Sequence, residues 1–138
     1  MDGNVEVKGN ARLFARGVVV GGNIQADNHR NVVVSPRTIG ERSIRSRVEG
    51  DIQLISGRFG VVRGTVLGGN LQVKQNDGEQ TAHNNVIDGD LQAFSNSGGY
   101  RIAGNHINGN LQCKSNRPAP VGGNNRVNGN KEGQCAAL

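Results

Sequence analysis

The side chains able to do chemistry are few in this sequence, and they are scattered. Asp51 and Asp90 are the carboxylates whose placement recurs, each directly after a glycine. A pair of carboxylates facing one bond is the machinery of glycoside hydrolysis, and a basic residue facing clustered carboxylates is that of polysaccharide lyases. If their segments stack in parallel with one more between them, the two stand roughly 9–10 Å apart, within the range of inverting glycosidases. At a sharp bend the same residues would instead accept hydrogen bonds from turn amides, a role in which Asp and Asn interchange. The second reading is preferred, and no catalytic residue is assigned. His29, His83 and His106 fall at unrelated phases and are expected in solvent-facing loops. The serines form no nucleophile elbow, and no helical pattern follows the GGN phrases to bind phosphate at its N-terminus.

Cys113 and Cys135 are the chain's two cysteines, too few for a tetrahedral thiolate site, so neither metal nor cofactor is expected. A disulfide tying the final segment to its neighbour is the preferred reading, with two reduced thiols as the alternative. Such a bond implies an oxidising compartment, extracellular or periplasmic. The formal charge is +5, and the densest basic run is Arg37, Arg42, Arg45 and Arg47. It could attract nucleic acid, acidic glycan or phospholipid headgroups. Glu41 and Glu49 dilute it and no aromatic is interleaved with it, so a solvated loop is preferred and nucleic-acid binding is not expected. Lys74 and Lys114 flank Phe94 at one phase of a repeat and make a candidate strip for a glycan or cell-surface partner.

That repeat must position everything else. The phrase V-x-G-[ND]-[IL]-Q recurs as VGGNIQ at Gly22, VEGDIQ at Gly50, LGGNLQ at Gly69, IDGDLQ at Gly89 and INGNLQ at Gly109, with degenerate copies at Gly9 and Gly129. The last four intervals are 19, 20, 20 and 20 residues. The interval of 28 from Gly22 to Gly50 holds SPRTIGERSIRSR, which reads as a loop inserted at about residues 35–47. Around each of the five full copies, apolar residues stand two before, two after and four after the glycine, the period of a strand with one buried face. By the same parity Gln25, Gln53, Gln72, Gln92 and Gln112 point outward as a ladder.

A unit of 20 residues is too short for a strand, crossover helix and strand, and it carries no helical period. It fits one turn of a β-solenoid, so residues 1–138 are expected to form a single all-β domain of about six to seven coils. Strands near residues 32–34, 59–62 and 100–102 would supply further sides. Asn76, Asn96 and Asn116 stand seven after their glycines, and Asn85, Asn105 and Asn125 four before theirs. These two columns are expected to stack as amide ladders at the corners. The polar stretch 121–138, with Lys131 and Gly133 at formerly aliphatic positions, reads as a capping coil.

In its short strands, stacked aliphatics and corner Asn ladders, the chain resembles right-handed parallel β-helix proteins over nearly its whole length, which implies that fold and handedness. The closing stretch NGNLQCKSNRPAPVGGNNRVNGNKEGQC is also similar to the C-terminal repeats of a family of uncharacterised exported bacterial proteins, implying export. A looser likeness is to bactofilins, filament-forming β-helices that share G-[DN]-[IVL] at strand starts but have shorter, Asn-poorer coils. It implies assembly through coil ends. No apolar stretch approaches the roughly 20 residues of a membrane span. The expected function is a non-catalytic structural or adhesive module. The alternatives are a carbohydrate-binding or lyase-like protein and a filament former.

Overall fold

A computed structural model describes the whole chain, Met1 to Leu138. All its regular elements are strands. They stack into three parallel sheets that run the length of a β-solenoid. The first sheet contains Val5–Val7, Ile24–Asp27, Ile52–Ile55, Leu71–Lys74, Leu91–Phe94, Leu111–Lys114 and Lys131–Gly133. The second contains Arg12–Arg16, Asn31–Ser35, Phe59–Arg63, Gln80–His83, Tyr100–Ala103 and Val121–Gly123. The third contains Val19–Val20, Ser46–Val48, Thr65–Leu67, Val86–Ile87, His106–Ile107 and Arg126–Val127. One strand of each kind makes a coil, and six coils are complete before the last strand of the first sheet.

Strict register makes each inward position a column. Ile24, Ile52, Leu71, Leu91 and Leu111 lie directly over one another. Val20, Val48, Leu67, Ile87 and Ile107 do the same on the third side. These columns belong to one core of 24 buried residues along the axis. Full burial of one such aliphatic side chain contributes about 1.5–3 kcal/mol, so the columns carry the collapse although the chain is poor in apolar residues.

The repeated glycine is a corner rather than part of a continuous strand. The apolar residue two before it ends a strand of the third sheet, and the one two after it begins a strand of the first. Both point inward because the chain turns around the core between them, which is why an unbroken period of two looks like a single strand. The residue after the glycine explains the glycine. Asp51 Oδ1 accepts the Asn70 amide N–H at 2.6 Å, and a Cβ on Gly69 would fall on that same oxygen.

At the other two corners a buried asparagine column joins coil to coil. Asn96 Oδ1 accepts from Asn76 N and from Asn76 Nδ2, each at 3.1 Å. Its Nδ2 donates to the Val73 carbonyl and to Asn116 Oδ1, each at 2.9 Å. Asn85, Asn105 and Asn125 repeat this pattern. The residue just before a ladder asparagine has positive φ, as at Gln75, Ser95, Ser115, Asn84 and Gly104. That left-handed step turns the next side chain into the corner.

Two stretches differ from expectation. The inserted segment is an antiparallel hairpin of Arg37–Ile39 and Arg42–Ile44, and Ser46–Val48 already belongs to the third sheet. The alternation in TIGERSI is masked because all its residues are exposed. In the last coil the ladders end on other groups. Gln134 Oε1 accepts from Asn116 N and Nδ2, and the Leu138 carbonyl accepts from Asn125 Nδ2.

Replacing Asn96 by Ala leaves the buried Asn76 N–H and Val73 carbonyl unpaired, and urea denaturation is expected to read a loss on the order of 2–4 kcal/mol. Asn108→Ala cuts a solvent-exposed amide row instead. Its expected cost is within about 0.5 kcal/mol.

Candidate functional site

The residues with chemical potential divide into those used by the scaffold and those left at the surface. Asp51 and Asp90 belong to the first group. They stand in a column with Asn4, Asn23, Asn70 and Asn110, each Oδ1 accepting the backbone N–H of the equivalent residue one coil on. The outward glutamines form a second row, Gln53 to Gln72, Gln92, Gln112 and finally Glu132, with contacts of 2.8–2.9 Å.

The histidines correct the expectation of three solvent-facing loop residues. His83 and His106 lie on strands with outward side chains. His29 is buried, 1% exposed, in the corner column that Asn76, Asn96 and Asn116 occupy farther along. It fits because the next residue in that column is Gly57, where a Cβ would strike the imidazole. Neither ring nitrogen has a hydrogen-bond partner. Burial lowers the His29 pKa below the usual 6.5, with the Ala26 backbone and the Asp27 carboxylate opposing that shift in part.

Cys113 and Cys135 are joined by a disulfide with Cα atoms 5.3 Å apart. Cys135 lies over the end of the core, completely buried. Lys74, Phe94 and Lys114 stand in consecutive coils at paired positions of the first sheet. The Lys74 ammonium sits 5.5 Å from the Phe94 ring centroid, so this cation is already engaged with the aromatic face. Phe94 and Lys114 border a shallow depression of about 410 Å³ that also meets Glu132.

A second surface feature combines residues that are far apart in sequence. The strands of the second sheet read RLFAR, NVVVS, FGVVR, QTAH, YRIA and VGG, with no carboxylate among them. Their outer face presents Arg12, Arg16, Arg63 and Arg101 beside Phe14 and Phe59, which are 54% and 45% exposed. Where the hairpin leaves this sheet, Phe14, Arg16, Ser35, Arg37, Thr38 and Arg63 line a cleft of about 640 Å³. The hairpin root is held close because Gly17 and Gly64 lack side chains. A Cβ on either would collide with Arg37 or Pro36 respectively. Ser46 Oγ donates to the Ser35 carbonyl at 2.8 Å and fastens the returning strand.

Of the basic run singled out in sequence, only Arg37 lines this cleft. Arg47 is bound to Glu49 at 2.7 Å, a contact that raises its pKa. Arg16, Phe14 and Arg63 lie outside that run, and their only signal in the sequence is the alternating RLFAR and FGVVR pattern. No known protein family, no curated protein and no solved structure matches the chain.

The lowered His29 pKa fixes a sign. The unfolded chain takes up a proton near pH 6.5, whereas the folded protein does so only at lower pH. Stability is therefore highest above pH 6.5, falls as pH drops through the window down to the folded value, and then levels off. Thermal melts from pH 8 to pH 5 are expected to show this slope, and His29→Gln to remove that component whatever its cost at pH 8.

Proposed function

We propose that this protein is a non-catalytic β-solenoid that serves as a rigid structural or adhesive surface module. The observation that carries the reading is the use made of its polar side chains. The Asn, Asp and Gln columns that dominate the composition accept and donate along the axis from coil to coil, which rigidifies a rod. Asp51 and Asp90, the pair whose spacing suggested two-carboxylate chemistry, each hold a backbone amide of the next coil. A flat, three-sided rod with long-range register suits repeated contacts with an extended partner.

The disulfide favours an oxidising location, and we place the protein outside the cytoplasm, extracellular or periplasmic, on that chemistry. A second reading, glycan binding along Lys74, Phe94 and Lys114, is favoured by their alignment in consecutive coils beside the depression at Glu132. A filament built by stacking coil on coil is disfavoured at one end. There residues 134–138 cross the last coil, bury Cys135 and occupy the ladder termini.

Incubation with a panel of acidic and neutral polysaccharides separates these readings. Pull-down on insoluble polysaccharide without growth of ultraviolet absorbance or reducing ends is the expected outcome. Appearance of unsaturated or reducing product would remove the non-catalytic reading. If Phe94→Ala alone abolishes retention, the glycan strip of the first sheet is the contact surface. Light scattering over a concentration series is expected to show no growing polymer.

A further inference from the structure

We propose that the cleft at the root of the hairpin binds a sulfate or phosphate monoester carried on a sugar. This deepens the adhesive reading above and rests on it, since it names the chemistry of the partner.

Three arginines line the cleft. Arg16 pairs in register with Ser35, and Arg63 follows the last paired residue on the opposite neighbouring strand, so the two flank Ser35 from the coils on either side. Parallel strands lie about 4.8 Å apart, which puts the backbones of Arg16 and Arg63 about 10 Å from each other. Arg37 enters from the hairpin as a third wall. None of the three is in an ion pair; the protein's salt bridges join Lys8 to Glu6, Arg47 to Glu49 and Arg58 to Asp77. Concentrating three uncompensated charges around one cleft raises the local positive potential that attracts an anion.

The independent observation is Ser35. Its side chain is 1% exposed, it lines the cleft, and its hydroxyl has no hydrogen-bond partner. A buried hydroxyl left unpaired costs stability, so such groups in a folded protein call for a partner. An anionic oxygen in the cleft supplies one.

The donor set selects the anion. Arginines line the cleft from the coil on either side of Ser35 and from the hairpin, with the buried Ser35 between them. A monoester offers three free oxygens splayed in three directions and can meet donors on several sides. A planar carboxylate has two oxygens in one plane, and the diester of a nucleic-acid backbone has only two free. Phe14, more than half exposed at the rim, gives the apolar face on which a sugar ring can rest. A single converging site also differs from the track of cations and stacked aromatics that single-stranded nucleic acids use.

Isothermal calorimetry at low and moderate salt tests this with four probes: a sulfated glucose oligosaccharide, a glucose phosphate monoester, inorganic phosphate and oligothymidylate. The sugar esters are expected to bind, more tightly than inorganic phosphate, and the two esters distinguish sulfate from phosphate as the preferred group. Ser35→Ala loses no hydrogen bond of the folded protein, so it should fold with unchanged or higher stability yet bind about tenfold more weakly. Arg63→Ala should weaken binding by about tenfold or more. Arg126→Ala removes the same charge from the exposed third face and should leave affinity within about twofold. Tighter binding of oligothymidylate than of either ester, or inorganic phosphate binding as well as the sugars, overturns the proposal. So does wild-type affinity in both Ser35→Ala and Arg63→Ala, or no binding of either ester. If retention on polysaccharide persists in those cases, the adhesive reading survives the loss of the cleft. Release of free sulfate or phosphate from a probe would instead overturn the non-catalytic reading.

Discussion

The interaction on which this structure depends is the hydrogen bond that a backbone N–H donates to a side-chain oxygen at the corner of an adjacent coil. Strand pairing holds the three flat sides together, but at a bend the backbone groups turn away from the ladder and would be left buried and unpaired. Asparagine answers that need with an acceptor oxygen and a twofold N–H donor on a short stem. At Asn96 both are used, upward and downward along the axis. Each asparagine must lie directly over the previous one, and coils of 19 and 20 residues both meet this constraint because the extra residue falls between the columns, in the step from Asn76 to Gln80 that answers Gly57 to Gly60. The insertion between Ser35 and Ser46 obeys the constraint by leaving and returning at one point, where Ser46 Oγ bonds the Ser35 carbonyl.

The same stacking limits what the core can contain. Like residues sit over like at one strand spacing, so a column accepts medium aliphatics in every coil but not a bulky ring in every coil. The column holding Val32, Gly60, Gln80 and Tyr100 shows the compensation. Gly60 leaves room into which the Gln80 side chain extends, since a Cβ there would meet Gln80 and Leu54. Gln80 Nε2 is satisfied by the Gly78 and Arg58 carbonyls. Tyr100, wholly buried next in line, has its phenol pKa pushed up by desolvation. His29 over Gly57 is the same device in the asparagine column, with a large group above a missing one. There the compensation is steric only, and the ring nitrogens stay unpaired.

These two cases mark how far the sequence can be read. The phases of Asn76, Asn96 and Asn116, of Asn85, Asn105 and Asn125, and of the Leu and Ile columns follow from periodicity alone. Periodicity is a statement about coils that resemble one another. The corner at the glycine is legible in the interchange of Asp and Asn just after it, whereas the apolar spacing alone reads as a straight strand, because inward side chains on both sides of a bend keep the same parity. His29 escaped because no other coil has a histidine at that phase. Its burial depends on Gly57, 28 residues away, losing its side chain. The hairpin reads as a loop in the sequence because its alternation faces solvent on both sides. The cleft was illegible for a further reason: Phe14, Arg16, Ser35, Arg37 and Arg63 belong to three coils and an insertion, and only the winding of the chain makes them neighbours.

The division between regular and irregular coils is therefore a division of labour. From Val66 to Asn130 the coils repeat closely, and a substitution in a core or amide column is constrained by the copy above and the copy below. Such coils can be lengthened or shortened by whole units, but they have little freedom to acquire a site. Freedom exists where the repeat is broken, in the first three coils. There serine and threonine replace asparagine at one corner, histidine and glycine replace it at the other, and the hairpin departs. Arg12, Arg16, Arg37, Arg63, Phe14 and Phe59 all fall in this part of the chain. A rigid scaffold that carries variable groups at its irregular points is how stable frameworks acquire recognition without endangering their fold. In a solenoid the argument is sharper, because stability is nearly a sum over neighbouring coils and the regular half can supply what the irregular half gives up.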